Sequence, residues 1–176
     1  MVGKERGLVI VFTGNGKGKT TAALGLALRA WGHEMKVLVL QFIKGQICGE
    51  HLAADKLNKC IEIRPLGLGF INFNDPAAVD QQKEKAKEAI KLAGQAMAEG
   101  HHILILDEIL YALKYGLVEL EQVINLIKSK PEELHLILTG RDAPSEIIAL
   151  ADLVTEMKEI KHPYKENIPA QKGIEY

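Results

Sequence analysis

Six short runs punctuate this 176-residue chain: "GLVIVFTG", "KVLVLQF", "CIEIRPL", "HHILILDE", "LHLILTG" and "ADLVTEM". Most are apolar at consecutive positions rather than at every second one. A strand with one face in water alternates, whereas a strand covered on both faces does not. Continuous apolarity therefore demands helices above and below the strands, as in a parallel sheet sandwiched between two helical layers. Helical stretches do separate the runs. Lys19 to Trp31 is nearly all Ala, Leu and Gly, small enough to pack closely on a sheet, and Gly32 follows as a stop. Asp75-Pro76 supplies an N-cap and a first-turn proline. Val79, Ala86, Ile90, Ala93 and Met97 then line one helical face, with Gly100 as the expected end. Leu120, Val123, Ile124 and Ile127 mark a further amphipathic helix stopped by Pro131. The charge run from Lys83 to Lys91 alternates in sign and reads as a solvated outer face. With no internal repeat or linker, the pattern predicts a single three-layer α/β domain over residues 1–176. Two glycine-containing loops, Ile43–Glu50 and Pro65–Asn74, show no periodicity.

The first run opens straight into "GNGKGKT". The phosphate-loop pattern G-x-x-x-x-G-K-[ST] ends here on Gly18-Lys19-Thr20, which puts Thr13 where the first glycine belongs. The context otherwise fits: apolar strand, glycine turn, helix. Gly14, Gly16 and Gly18 let the backbone curl so that successive N–H groups converge on an anion. The helix beginning near Lys19 adds its N-terminal dipole at the same point. Lys19 offers a cation to phosphate oxygens, and the Thr20 hydroxyl is placed for Mg²⁺. A second apolar strand ends on Asp107-Glu108, where a carboxylate can reach a nucleotide's magnesium ion. Arg141, in "LTGRDAP" just after another strand, is either a phosphate partner or a surface ion pair. His101 and His102 lie at the opposite end of their strand and read as structural.

Charge and cysteine usage narrow the classes further. Lys and Arg number 22 against 23 Asp and Glu, which argues against nucleic-acid binding through a broad basic surface. Cys48 and Cys60 lack CxxC spacing and suit a reducing cytoplasm better than a disulfide framework. No run approaches the roughly 20 apolar residues of a membrane span. The residues thus specify a magnesium-nucleotide site without specifying its reaction. Glu108 activating water would make an ATPase, and a non-catalytic nucleotide-binding sensor is a further alternative. A kinase would need an arginine-rich lid, and arginines are few.

The stretches "FTGNGKGKTTAALGLALRAWGH", "VLQFIKG", "ILDEI", "TGRDAP", "ADLVTEM", "KHPY" and "AQKGIEY" occur in order from about Val9 to Tyr176. On them the chain resembles the P-loop-type ATP:corrinoid adenosyltransferases, which act on cob(I)yrinic acid a,c-diamide or cob(I)alamin. The resemblance implies a RecA-like P-loop NTPase fold and adenosylation of a reduced corrinoid, with inorganic triphosphate as leaving group. It also implies ATP held in the reverse sense, the loop gripping the terminal phosphate. Asn15, Gly16, Lys17, Gly18, Lys19, Thr20 and Thr21 would then hold the triphosphate, Arg29 would join the cofactor-binding set, and Thr20 and Glu108 would hold Mg²⁺. Phe70 is similar in position to an aromatic that blocks the corrinoid's lower face and keeps cobalt four-coordinate. The best-known members place a tryptophan two residues further on; here Asn72 stands there, and Phe73 is the candidate second wall in shifted register. Some members cover the corrinoid with an extra N-terminal helix. Only a handful of residues precede the first strand here, so that cover is expected to be absent or to come from elsewhere. A homodimer and a reduced flavodoxin or flavin as electron donor complete what the resemblance implies.

Overall fold

The computed structural model describes residues 6–57, 60–69 and 71–176. All six apolar runs are strands: β1 Val9–Thr13, β2 Val37–Gln41, β3 Ile61–Pro65, β4 Ile103–Asp107, β5 His135–Thr139 and β6 Leu153–Glu156. They form one sheet in the order β3-β2-β4-β5-β1-β6, and every pairing is parallel. β1, β2 and β4 are buried at every residue, as continuous apolarity requires. Apart from β4, which ends on Asp107, the runs that carry charged residues among their strand positions, "CIEIRPL" and "ADLVTEM", are the sheet's edges, and β6 is exposed along its whole length.

Successive residues of each strand feed two separate cores. Val9, Val11, Leu38, Leu40, Leu104, Leu106, Leu136 and Leu138 point to one face. There they meet helices α3 (Pro76–Ala96), α4 (Ile109–Lys114), α5 (Leu120–Ser129) and α6 (Ser145–Leu150). Ile10, Phe12, Val37, Val39, Ile103, Ile105 and Ile137 point to the other, against α1 (Lys19–Trp31) and α2 (Gly49–Ala54). This is the expected three-layer arrangement. The face of α1 turned to the sheet consists of Ala23, Ala27 and Ala30, one and two turns apart, which lets the helix lie close to the strands. Ala27 is fully buried, so Ala27→Leu would overpack the layer at a cost of roughly 1–3 kcal/mol.

α3 begins as its sequence predicts, with the Asp75 carboxylate accepting hydrogen bonds from the N–H groups of Ala77 and Ala78. Its buried face is narrower than the apolar periodicity suggests. Ala86, Ala89, Ala93 and Ala96 form it, while Val79 and Ile90 are half-buried at its margins. The helix closes at Met97 rather than Gly100, which instead takes a left-handed φ of 75° in the turn to β4. The helices α2, α4 and α6 have six residues each, too few turns for a period to register in sequence.

Candidate active site

The phosphate loop begins one residue later than the general pattern places it. Thr13 is the last residue of β1, still paired with Glu156 of β6, and its buried hydroxyl accepts the N–H of Ala143 at 3.1 Å. The left-handed turn starts at Gly14 (φ 97°), so nothing at position 13 requires glycine. At Gly14 glycine is obligatory for a second reason: a Cβ there would stand 2.5 Å from the carbonyl oxygen of Met157. The Gly16 N–H donates to that same oxygen at 2.7 Å, so the segment following β6 braces the loop. Gly18 then caps α1 without any side-chain hydrogen bond, leaving first-turn N–H groups for an anion.

Lys19 is 7% exposed, and its Nζ donates to the carbonyl oxygens of Gly14 and Gly16, each at 2.8 Å. Burial holds its pKa below the usual lysine range; Glu108 opposes that shift, Arg141 adds to it, and Asp107 opposes it. Both cations therefore act on the same space. Asp107 is fully buried at the end of β4 and accepts three bonds. Thr20 and Thr139 donate their hydroxyls to Oδ1 at 2.8 Å, and Gln41 donates Nε2 to Oδ2 at 3.3 Å. The Thr139 hydroxyl in turn accepts the Glu108 N–H at 2.9 Å. That bond anchors Glu108 in a left-handed conformation (φ 59°), unusual for a residue with a side chain. Burial pushes the Glu108 carboxyl above the ordinary range and the Asp107 charge adds to this, while Lys19 and Arg141 pull it back.

Beyond β2 and β3 the two aperiodic glycine loops close on each other. Leu66, Gly67 and Gly69 donate their N–H groups to the carbonyls of Gln41, Lys44 and Ile43. Gly67 approaches so closely that a Cβ would lie 2.2 Å from the Ile43 oxygen. Gln82, buried in α3, joins both loops: its Oε1 accepts from Leu68 N–H and its Nε2 donates to Phe42 O. Within the first loop Lys44 donates to Glu50 at 2.5 Å, and Gln41 reaches the same carboxylate oxygen at 3.3 Å.

These elements enclose a cavity of about 1020 Å³ outside the carboxyl ends of the strands, where open α/β sheets bind ligands. Every residue from Asn15 to Thr21 lines it, with Glu108, Arg141, Lys44, Glu50 and Leu68. Residues 5–176 match the family described as ATP:corrinoid adenosyltransferase BtuR/CobO/CobP. The chain belongs to this family. The corrinoid adenosyltransferase of Pseudomonas aeruginosa is 41% identical across 98% of this chain and 85% of its own length. Those of Escherichia coli K12 and Salmonella typhimurium are each 38% identical across 98% of this chain and 87% of theirs. A KaiC-like protein from Pyrococcus horikoshii shares the fold, with a TM-score of 0.52 at 20% identity over 90% of this chain and 76% of that one. Family membership favours adenosyl transfer over the ATPase and sensor readings that the motifs alone leave open.

In this adenosyltransferase the residues expected from sequence separate into distinct groups. Arg141 lines the cavity. Arg29 does not reach it: it is exposed in the last turn of α1, about 15 Å along the helix from Lys19, where its charge complements the helix C-terminus. Phe70 lies outside the described residues. Phe73 stacks on Tyr115 of α4 at 4.7 Å between ring centroids, and Tyr115 in turn contacts Tyr111 at 4.4 Å. Phe73 is therefore held by α4 and does not line the cavity with the phosphate loop. His102 accepts the Lys36 N–H through Nδ1, and His101 contacts Ala96 O, both at the far end of β4. Sequence reasoning missed Gln41, Thr139, Lys44 and Glu50. Gln41 and Thr139 carry the same signal as Asp107, a polar residue ending an apolar strand.

Proposed function

We propose that the chain transfers the 5′-deoxyadenosyl group of ATP to the Co(I) of a reduced corrinoid, cobalamin or cobyrinic acid a,c-diamide, in adenosylcobalamin synthesis or salvage. The carrying observation is the continuous cavity that puts the phosphate loop, Lys19, Glu108 and Arg141 at one end of a space roomy enough for a nucleotide. In the reaction a cobalt–carbon bond forms as the C5′–O bond breaks, and the electron pair leaves on the triphosphate. No proton is transferred, so no general base is needed. The demand is to position two large substrates and to neutralise the leaving group. Lys17, Lys19, Arg141 and the N–H groups of the loop and first turn of α1, that of Gly16 apart, supply that neutralisation, with ATP held in the reverse sense so that its 5′-carbon faces the corrinoid.

The oxygen donors present suit magnesium: the Thr20 hydroxyl and the Glu108 carboxylate would hold it, with Asp107 behind Thr20. When bound, Mg²⁺ adds positive charge against the departing triphosphate. Phe70 would lie against the lower corrinoid face and keep cobalt four-coordinate, easing reduction by removal of an axial donor. Phe70→Ala should then impair turnover from Co(II) corrinoid with a mild reductant more than turnover from pre-reduced Co(I). Equal losses in both assays would remove that role. A reduced flavodoxin or flavin is the matching electron donor and the cytoplasm the matching compartment. The exposed β6 edge, with Leu153 and Val154 in solvent, supports a homodimer. Among the described residues no helix is long and apolar enough to cross a membrane.

The test is an anaerobic assay with MgATP and chemically reduced cob(I)alamin. A photolabile adenosyl product with stoichiometric triphosphate is expected; orthophosphate released without corrinoid would return the loop to an ordinary ATPase.

A further inference from the structure

The segment Gln171–Tyr176 forms part of the cavity wall beside the phosphate loop, through Gly173, Ile174, Glu175 and Tyr176. It is folded on itself: Ile174 and Glu175 donate their N–H groups to Gln171 O, and Gly173 donates to Tyr176 O at 2.8 Å. Inside this turn the Glu175 carboxylate is fixed by the Gln171 N–H, which donates to Oε2 at 2.6 Å. Its other oxygen accepts Lys17 Nζ at 2.8 Å, with the Glu175 side chain 18% exposed. The backbone of Tyr176 meanwhile lies near Gly49 at the start of α2, so the segment reaches from the phosphate loop to α2. The two loop lysines thus differ. Lys19 is bound to carbonyls of its own loop, whereas Lys17 is bound to an anion from outside it.

We propose that Glu175 competes with the triphosphate for Lys17 and thereby speeds release of the triphosphate product. The inference rests on the adenosyl-transfer reading above. When a triphosphate takes Lys17, the Glu175 carboxylate stays on the wall, held by Gln171, unpaired and facing a polyanion. That arrangement is worse for free triphosphate than for ATP, because breaking the C5′–O bond leaves one more negative charge on the leaving group. A fixed carboxylate consequently weakens product more than substrate, in a site whose cations would otherwise retain the product.

Calorimetric titration of inorganic tripolyphosphate and of ATP, with magnesium, into the full chain tests this without corrinoid chemistry. Glu175→Gln keeps an acceptor for Gln171, and Glu175→Met cannot donate to phosphate. Both should bind tripolyphosphate on the order of fivefold more tightly, with a smaller gain for ATP. In a Lys17→Ala background the gain should shrink. Unchanged or weaker tripolyphosphate binding in both Glu175 variants would overturn the proposal and make the segment a plain wall, since loss of a wall loosens rather than tightens. An equal gain without Lys17 would also overturn it. A wild-type chain that fails to bind tripolyphosphate would overturn the phosphate-cradle reading together with this one.

Discussion

The strand-end wall of the cavity and its loop wall are built from different materials. In the strand-end wall, Gln41, Asp107 and Thr139 close three neighbouring strands, and the Asp107 carboxylate gathers Thr20 of α1 into the same hydrogen-bonded group. Their backbones cannot move without moving the sheet. The rest of the lining comes from two glycine loops laid against each other and from the turn Gln171–Tyr176, which touches the phosphate loop through Lys17. The difference matches the chemistry. Neutralising a leaving group requires charges fixed to a fraction of an ångström, whereas admitting a large ring requires a wall whose spacing can adjust.

The sharpest way to break that contrast is at Lys19. Lys19→Ala should lower kcat by about 100-fold or more, the scale seen when one preorganised group facing developing charge is removed. Thermal stability should change far less, because Lys19 bonds only to loop carbonyls that water can reach once the side chain is gone. Steady-state kinetics beside a melting curve checks this; near-normal turnover would remove the loop from the reaction.

Asp107→Ala should do the reverse in part and cost stability first. It strands the fully buried Thr139 hydroxyl and Gln41 amide and frees the half-buried Thr20 hydroxyl, a loss of about 2–4 kcal/mol. Denaturant unfolding measures it. A loss well below 1 kcal/mol would mean that the strand ends are not the rigid scaffold described here.

The same contrast explains what could be read from sequence. Strands buried on both faces declare themselves by unbroken apolarity, so all six were legible, and so was the carboxylate ending "HHILILDE". Gln41 was equally visible as a polar residue ending an apolar run, yet its meaning depends on lying opposite Asp107 in the register, a tertiary fact. Lys44, Glu50 and Glu175 sit in segments without period, where sequence carries no distance information. Gln82 stands just before the charge run of α3 with nothing in the sequence to mark it, and only the fold reveals it as the buried clip between the glycine loops. Phe73 is visible in the sequence as a second aromatic near Phe70, but not as the partner of Tyr115, which follows in the chain only after α3 and β4.

That stack gives a smaller and more selective prediction. Phe73→Ala removes a half-exposed aromatic pair worth about 0.5–1.5 kcal/mol and frees the segment leading into α3. The expected result is a severalfold rise in KM for the corrinoid with KM for ATP unchanged, a split that global unfolding would not produce. Equal changes in both constants would show that the two walls are less independent than their construction suggests.

The smallest expected effect lies where the two walls meet, at Lys44 and Glu50. Burial by itself would raise the Glu50 carboxyl, but the Lys44 hydrogen bond and charge outweigh it and hold the group below its ordinary range. Burial likewise opposes the charge on Lys44, and the Glu50 hydrogen bond more than reverses this, leaving its ammonium above the usual lysine range. A carboxyl with a depressed folded pKa contributes stability that is fully present above the unfolded value and disappears as pH falls through the folded one. For Lys44 the sign is opposite, its contribution disappearing as pH rises through the raised value. The wild-type advantage over Glu50→Gln should therefore be flat near neutrality at about 1 kcal/mol, and it should shrink once pH drops through and below the carboxylate range. Unfolding of both proteins across that acid limb measures it. A difference independent of pH would mean that Glu50 acts through its hydrogen bond to Gln41 rather than through its charge, tying this loop to the rigid wall after all.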